Sequence, residues 1–157
     1  MKSKLYIKRI IIIAGLMAIL LTAGNQFYCS RQVYSCSGQH KIYLNDVEFM
    51  NIHIKINDNR GKVSMTMKGT YYQTDGSESK IYRHGKYQYK AFNDKIYDAK
   101  LLSVHKFFTD KSPEKLNDII FGIQVGESRN IRINKIRNGL ITIGTEYTWF
   151  YTCQLDS

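Results

Sequence analysis

The chain has 157 residues and a formal net charge of +10, with 43% hydrophobic and 23% charged residues. That length holds one domain plus a short appendage, and the composition excludes an intrinsically disordered chain. Lys2, Lys4, Lys8 and Arg9 carry part of the charge before residue 10, and the remainder is spread without a block of five like charges. A mildly basic surface is expected from this, with no direct nucleic-acid binding.

The basic start "KSKLYIKR" runs into "IIIIAGLMAILLTA", residues 10–23, which holds no charge. Two readings fit. A removable secretory signal has a basic start, a short apolar centre and a small-residue cleavage site, here "TAG" before Asn25. An uncleaved anchor must span a hydrocarbon core of about 30 Å. A helix from Tyr6 to Tyr28 covers about 33 Å at the helical rise. It places Lys8 and Arg9 to snorkel on one side and Phe27 and Tyr28 at the opposite interface. The anchor is the favoured reading, and both readings export the remainder of the chain. The expected organisation is a cytoplasmic basic tail (1–9), a transmembrane anchor or uncleaved signal (10–28) and a periplasmic β-domain (29–157), on a bacterial inner membrane with the N-terminus cytoplasmic.

Beyond residue 30 the apolar residues recur with period two between turn signals. "VEFMNIHIKI" puts Ile52, Ile54 and Ile56 on one face with His53 and Lys55 on the other. "NDNRG" (57–61) is a turn, and Val63, Met65 and Met67 alternate after it. Asp75-Gly76 marks a second turn and "ND" (93–94) a third, with Gly85 between them expected at a bulge or bend. "TDKSPEKLNDIIFG" breaks the rhythm: Ser112 is placed to cap a short helix, with Pro113 at its first position and Gly122 at its end. "RNIRINKI", an Asn138-Gly139 turn and "LITIGTEYTWFYTCQ" close the chain as a hairpin. The fold class is therefore mainly β: a small antiparallel meander of seven or eight strands with one short helix, as a β-barrel or β-sandwich. A partly open barrel is favoured.

In such a meander the first and last strands are neighbours. Cys36 at the start of the first and Cys153 near the end of the last would staple the seam, in an oxidising compartment. Cys29–Cys36 is the other pairing weighed. Cys29, left over in the first case, is either an inert thiol or an intermolecular one. The histidines at 40, 53, 84 and 105 lack metal-ligand spacing, and no metal or cofactor is expected. No Gly-x-Ser-x-Gly elbow, phosphate-cradling loop or nucleophile–base pair is present, so no enzymatic activity is expected. "YRHGKYQYK" interleaves basic and aromatic residues, read as a strand with tyrosines inward and lysines outward.

The order of a basic start, one apolar span, "F-x-C" at its outer end, "CSG", "IYRHGKYQY", "SPEKLNDIIFG", "NGLITIG" and a terminal "WFYTC" resembles the FidL-like family of enterobacterial inner-membrane proteins. The positions matching its pattern are Cys36, Gly38, Arg83, Gly139 and Cys153. The resemblance implies a single-pass protein with a periplasmic domain. It also implies, by analogy with ToxS, an accessory role toward a ToxR-like membrane-bound transcription regulator. The favoured mechanism has the partner add a strand at an open barrel edge, near residues 95–106 or 129–136. The alternative is a periplasmic lipocalin-like carrier of a small apolar ligand, with Tyr71, Tyr87, Tyr89 and Tyr97 at its mouth.

Overall fold

The computed structural model describes Gly15, Met17 and residues 34–93 and 95–156. The chain divides into two units, 1–32 and 33–157. In the first, Gly15 and Met17 are helical. The anticipated anchor with its flanks Lys8, Arg9, Phe27 and Tyr28, and the thiol of Cys29, lie outside the described residues. Among those that are described, no helix is long and apolar enough to cross a membrane.

The second unit is an eight-stranded antiparallel barrel, closed in sequence order. Its elements are β1 (Tyr34–Leu44), β2 (Val47–Asn59), β3 (Lys62–Tyr72), β4 (Glu78–Ala91), β5 (Ile96–Lys106), helix α1 (Leu116–Phe121), β6 (Ser128–Lys135), β7 (Leu140–Gly144) and β8 (Trp149–Leu155). Strict alternation drives the first strands. Ile52, Ile54 and Ile56 of β2 and Met65 and Met67 of β3 point inward and are buried, while His53 and Lys55 are exposed. Each isoleucine so buried contributes about 1.5–3 kcal/mol relative to exposure. The hairpin turns fit the right-handed twist because both central residues of the β2–β3 turn, Arg60 and Gly61, have positive φ, as do Asn138 and Gly139 before β7.

The up-and-down order gives the barrel two unlike ends. At the proximal end the chain enters at Tyr34, and the β2–β3, β4–β5 and β6–β7 turns gather there. At the distal end lie the β1–β2, β3–β4 and β7–β8 turns and the excursion 107–127 that carries α1.

Several expectations change. All eight strands join in one closed ring, not a sandwich and not a sheet left open between its first and last strands, because β1 and β8 pair over the short ladder Cys36↔Leu155 and Ser37↔Gln154. "LITIGTEYTWFYTCQ" is two strands, since Thr145 N–H donates to Thr148 O and turns the chain between β7 and β8. The β4 irregularity falls at Lys86/Tyr87. Gly85 instead admits the Phe121 ring, which a Cβ there would meet at 2.6 Å. Ser112 does not cap the helix and Pro113 is not its first residue. The helix begins at Leu116 after a turn in which Leu116 N–H donates to Pro113 O, while Gly122 ends it with φ 73° as expected.

Cys36 and Cys153 form the seam disulfide, with Cα atoms 5.5 Å apart and a sequence separation of 117. In the chain-entropy account a bridge over so long a loop stabilises by about 4–5 kcal/mol. Replacing both cysteines with alanine is expected to lower the urea midpoint by a corresponding amount. An unchanged midpoint would show that the β1–β8 seam does not depend on the bridge.

Candidate functional site

The distal half of the barrel is organised by a charged residue that the alternation of β4 places inside. Arg83 on β4 faces inward and is fully buried. Its Nε donates to Asp110 Oδ2 at 3.0 Å, one terminal nitrogen donates to Asn117 Oδ1, and the other to Ser112 Oγ, Ser112 O and Pro113 O. Asp110, also buried, accepts from Tyr82 N and from the Ser112 N–H and hydroxyl. Burial alone would raise the Asp110 pKa. The hydrogen bonds from Ser112, Arg83 and Tyr82 outweigh it and hold the carboxyl below its ordinary value. Ser112 thus serves as a relay between the two charges.

This clamp seats α1 in the barrel. Leu116, Ile120 and Phe121 are buried, and the carbonyls of Phe121 and Ile120 accept from the hydroxyls of Tyr87 and Tyr151. Burial raises the pKa of both tyrosines, which therefore stay neutral donors. Beneath Phe121 remains a cavity of about 70 Å³, lined chiefly by apolar side chains including Met65, Ala99, Ile131 and Ile143.

Above the disulfide the seam opens. The β1–β8 ladder covers only two residue pairs. Gly38 lets β8 pass close, since a Cβ would collide with the Thr152 carbonyl, and His40 Nε2 then donates to that same carbonyl at 2.9 Å. Burial lowers the His40 pKa, so the imidazole is neutral at pH 7. From Gln39 to Leu44, β1 has no ladder partner on its β8 side among the described residues. Alongside lies a cleft of about 600 Å³, whose lining includes Ile42, Ile119, Ile123, Trp149, Phe150 and Tyr151. The neighbouring β1–β2 turn exposes Leu44 and Val47.

The anticipated edges, near 95–106 and 129–136, are open only in part. Residues 128–132 pair with 96–100 and residues 132–135 with 141–144, so each side of β6 is paired over only part of its length. Beyond Lys100 the 95–106 stretch has no β6 partner, and Leu101 bonds instead to Gly126 and Glu127 ahead of β6. The four tyrosines do not form one mouth. Tyr71 packs edge-on against Phe49 at 5.1 Å. Tyr87 and Tyr89 line the inner cavity, and Tyr97 packs edge-on against Tyr89 near the proximal end. There Tyr89 donates to the buried carboxylate of Asp58, which also accepts from Gly61 N. Of the positions matching the resemblance, Cys36 and Cys153 are bonded, Gly38 sits beneath β8, Gly139 completes a turn and Arg83 is the clamp. Among the described residues no cluster of three or more His, Cys, Asp or Glu side chains is placed to hold a metal. Sequence reasoning missed the Arg83–Asp110 clamp. Its signal was an arginine in phase with inward-facing Ile81 and Tyr87 on β4.

No family model matches the chain, and no curated protein matches it.

Arg83→Met leaves Asp110 buried and unpaired, and urea unfolding should show a loss of about 3–5 kcal/mol. The double variant Arg83→Met/Asp110→Leu should not recover wild-type stability, because Tyr82 N, Ser112 N and Asn117 lose their partners as well. Since the folded Asp110 pKa is depressed, its contribution is present above about pH 4 and lost as pH falls through the folded value. Asp110→Asn should therefore be less stable at pH 7 and show a smaller further loss on acidification. Recovery in the double variant would reduce the clamp to a simple ion pair.

Proposed function

We propose that the protein is a non-enzymatic, membrane-anchored accessory protein that binds an extended segment of a partner at the open seam. The carrying observation is the unpaired β1 edge from Gln39 to Leu44 beside a cleft lined by apolar side chains and by Asp118, Gln124, Glu127 and Arg129. A free edge offers main-chain hydrogen bonds to an incoming strand, and the adjoining cleft takes its alternate side chains. Ile42, Ile119 and Trp149 supply the apolar floor; Ile119 and Trp149 are each about half exposed. The partner that the sequence resemblance implies is a ToxR-like regulator. Tethering both chains to one membrane would raise their effective concentration, so that a short strand contact suffices. The seam disulfide supports an oxidising compartment, consistent with a periplasmic domain.

The carrier reading has less support. The cavity that Tyr87 and Tyr89 line holds about 70 Å³, against the roughly 300–1,000 Å³ of ordinary small-molecule pockets, and the larger cleft next to it is open and partly polar. Helix α1 fills the space that a ligand would take.

A photo-crosslinker at Gln39 or Trp149, in cells co-expressing a ToxR-like regulator, should give an adduct, and one at Lys68 on the fully paired β3 wall should not. Ile42→Lys should abolish the adduct without shifting the thermal midpoint by more than a few degrees. Absence of any adduct, or equal adducts from Lys68, would overturn the assignment.

A further inference from the structure

The two barrel ends differ in charge. At the proximal end the three turns and their flanks carry exposed Arg60, Lys62, Lys90, Lys95 and Arg137. Lys135 lies over the Tyr34 ring there, 5.4 Å from its centroid. The turns and flanks also hold Asp94 and exposed Asp98, which stands opposite Lys90, so the end keeps a net positive charge. Asp58 nearby is buried beneath Tyr89, and Asp156 is engaged by Ser35 and Ser37 and lies 3.6 Å from Lys55. Between the cations two large apolar side chains stand in solvent: Phe92, 78% exposed, at the β4–β5 turn, and Ile136, 49% exposed, at the β6–β7 turn. The distal end mixes signs, with Asp46, Asp75, Asp118 and Glu146 beside Lys80, Lys111 and Lys115.

From this arrangement we infer that the proximal end of the barrel rests on an anionic phospholipid surface, with the turn cations against headgroup phosphates and Phe92 and Ile136 in the interfacial layer. Lipid is the occupant favoured by three observations. Cations ringed around isolated apolar tips match a surface that is anionic outside and apolar just below. A nucleic acid or a glycan would use the cations and leave Phe92 and Ile136 idle. The chain also enters the barrel at this same end, at Tyr34. If the anchor ends at Tyr28, the connecting residues reach at most about 20 Å even when extended.

This inference rests on the anchor expectation and is independent of the partner reading. It gives the anchored domain an orientation: basic turns down, open seam and α1 facing away from the lipid. Each basic residue near such a surface contributes about 1 kcal/mol, or about fivefold in the contact equilibrium.

The test uses the full chain reconstituted in nanodiscs of phosphatidylcholine with or without phosphatidylglycerol. Phe92→Trp in a Trp149→Phe background places the sole tryptophan at the turn, and brominated lipids report its contact with acyl chains. The expected result is quenching in anionic discs that falls sharply in neutral discs. It should fall over a hundredfold in contact equilibrium when Arg60, Lys95 and Arg137 are all changed to Gln. Absent quenching, or quenching indifferent to lipid charge and to those substitutions, overturns the proposal. So does binding of heparin or an oligonucleotide by the same residues without lipid contact. Retention in the discs at high salt scores the anchor separately. A chain that washes off contradicts the anchor, while the low-salt quenching comparison still decides the fate of the basic end.

Discussion

A guanidinium buried inside a small barrel is the constraint on which the distal half of this fold depends. An isolated charge there would cost several kcal/mol in lost hydration. Arg83 avoids that cost only because Asp110, Ser112, Pro113 and Asn117 converge on its donors. The convergence in turn specifies where the excursion between β5 and β6 must lie. An apolar residue at position 83 would leave those backbone groups to find water. The helix would then have only Leu116, Ile120 and Phe121 to hold it in place, with two tyrosine hydroxyls at its C-terminal carbonyls.

The plug and the seam are linked. Tyr151 reaches from β8 to the Ile120 carbonyl, and Cys153 two residues on is bonded to Cys36. Strand β8 is thereby held to the interior by a hydroxyl and to β1 by a covalent bond, both facing inward. Above Gly38 nothing of the kind recurs. The contact from His40 to the Thr152 carbonyl is the last link before the strands part. The opening is therefore a local property of a well-fastened barrel, with an apolar floor supplied by the same helix that Arg83 positions.

Much of this architecture was legible from period-two alternation. Ile52, Ile54, Ile56, Met65 and Met67 announce one buried face, and Asn138-Gly139 announces a turn, because these signals are local. The disulfide was legible too, since an up-and-down meander brings its first and last strands together. What stayed hidden depends on contacts distant in sequence. Ser112 has every mark of a helix cap, yet its hydroxyl is drawn to Asp110 and Arg83, a tertiary demand that overrides the local motif. Gly85 resembles a bulge signal but exists for Phe121. Open edges are expected on β5 or β6, and β5 beyond Lys100 does lack a β6 partner, but the unpaired stretch of β1 goes unannounced, because where its ladder stops depends on how β1 and β8 diverge. No residue within either strand encodes that by itself.

The central claim is that this closed barrel leaves the β8-facing edge of β1 unpaired above its disulfide. Residue-resolved amide hydrogen exchange on the native protein tests it most directly. Neighbouring amides of an antiparallel strand point alternately to its two neighbours. From Gln39 to Leu44, every second amide should therefore exchange orders of magnitude faster than the intervening amides bonded to β2, while β2 and β3 are protected throughout. Unbroken protection along β1, matched by protection of residues 149–152, would mean that the seam is fully zipped and would contradict the account.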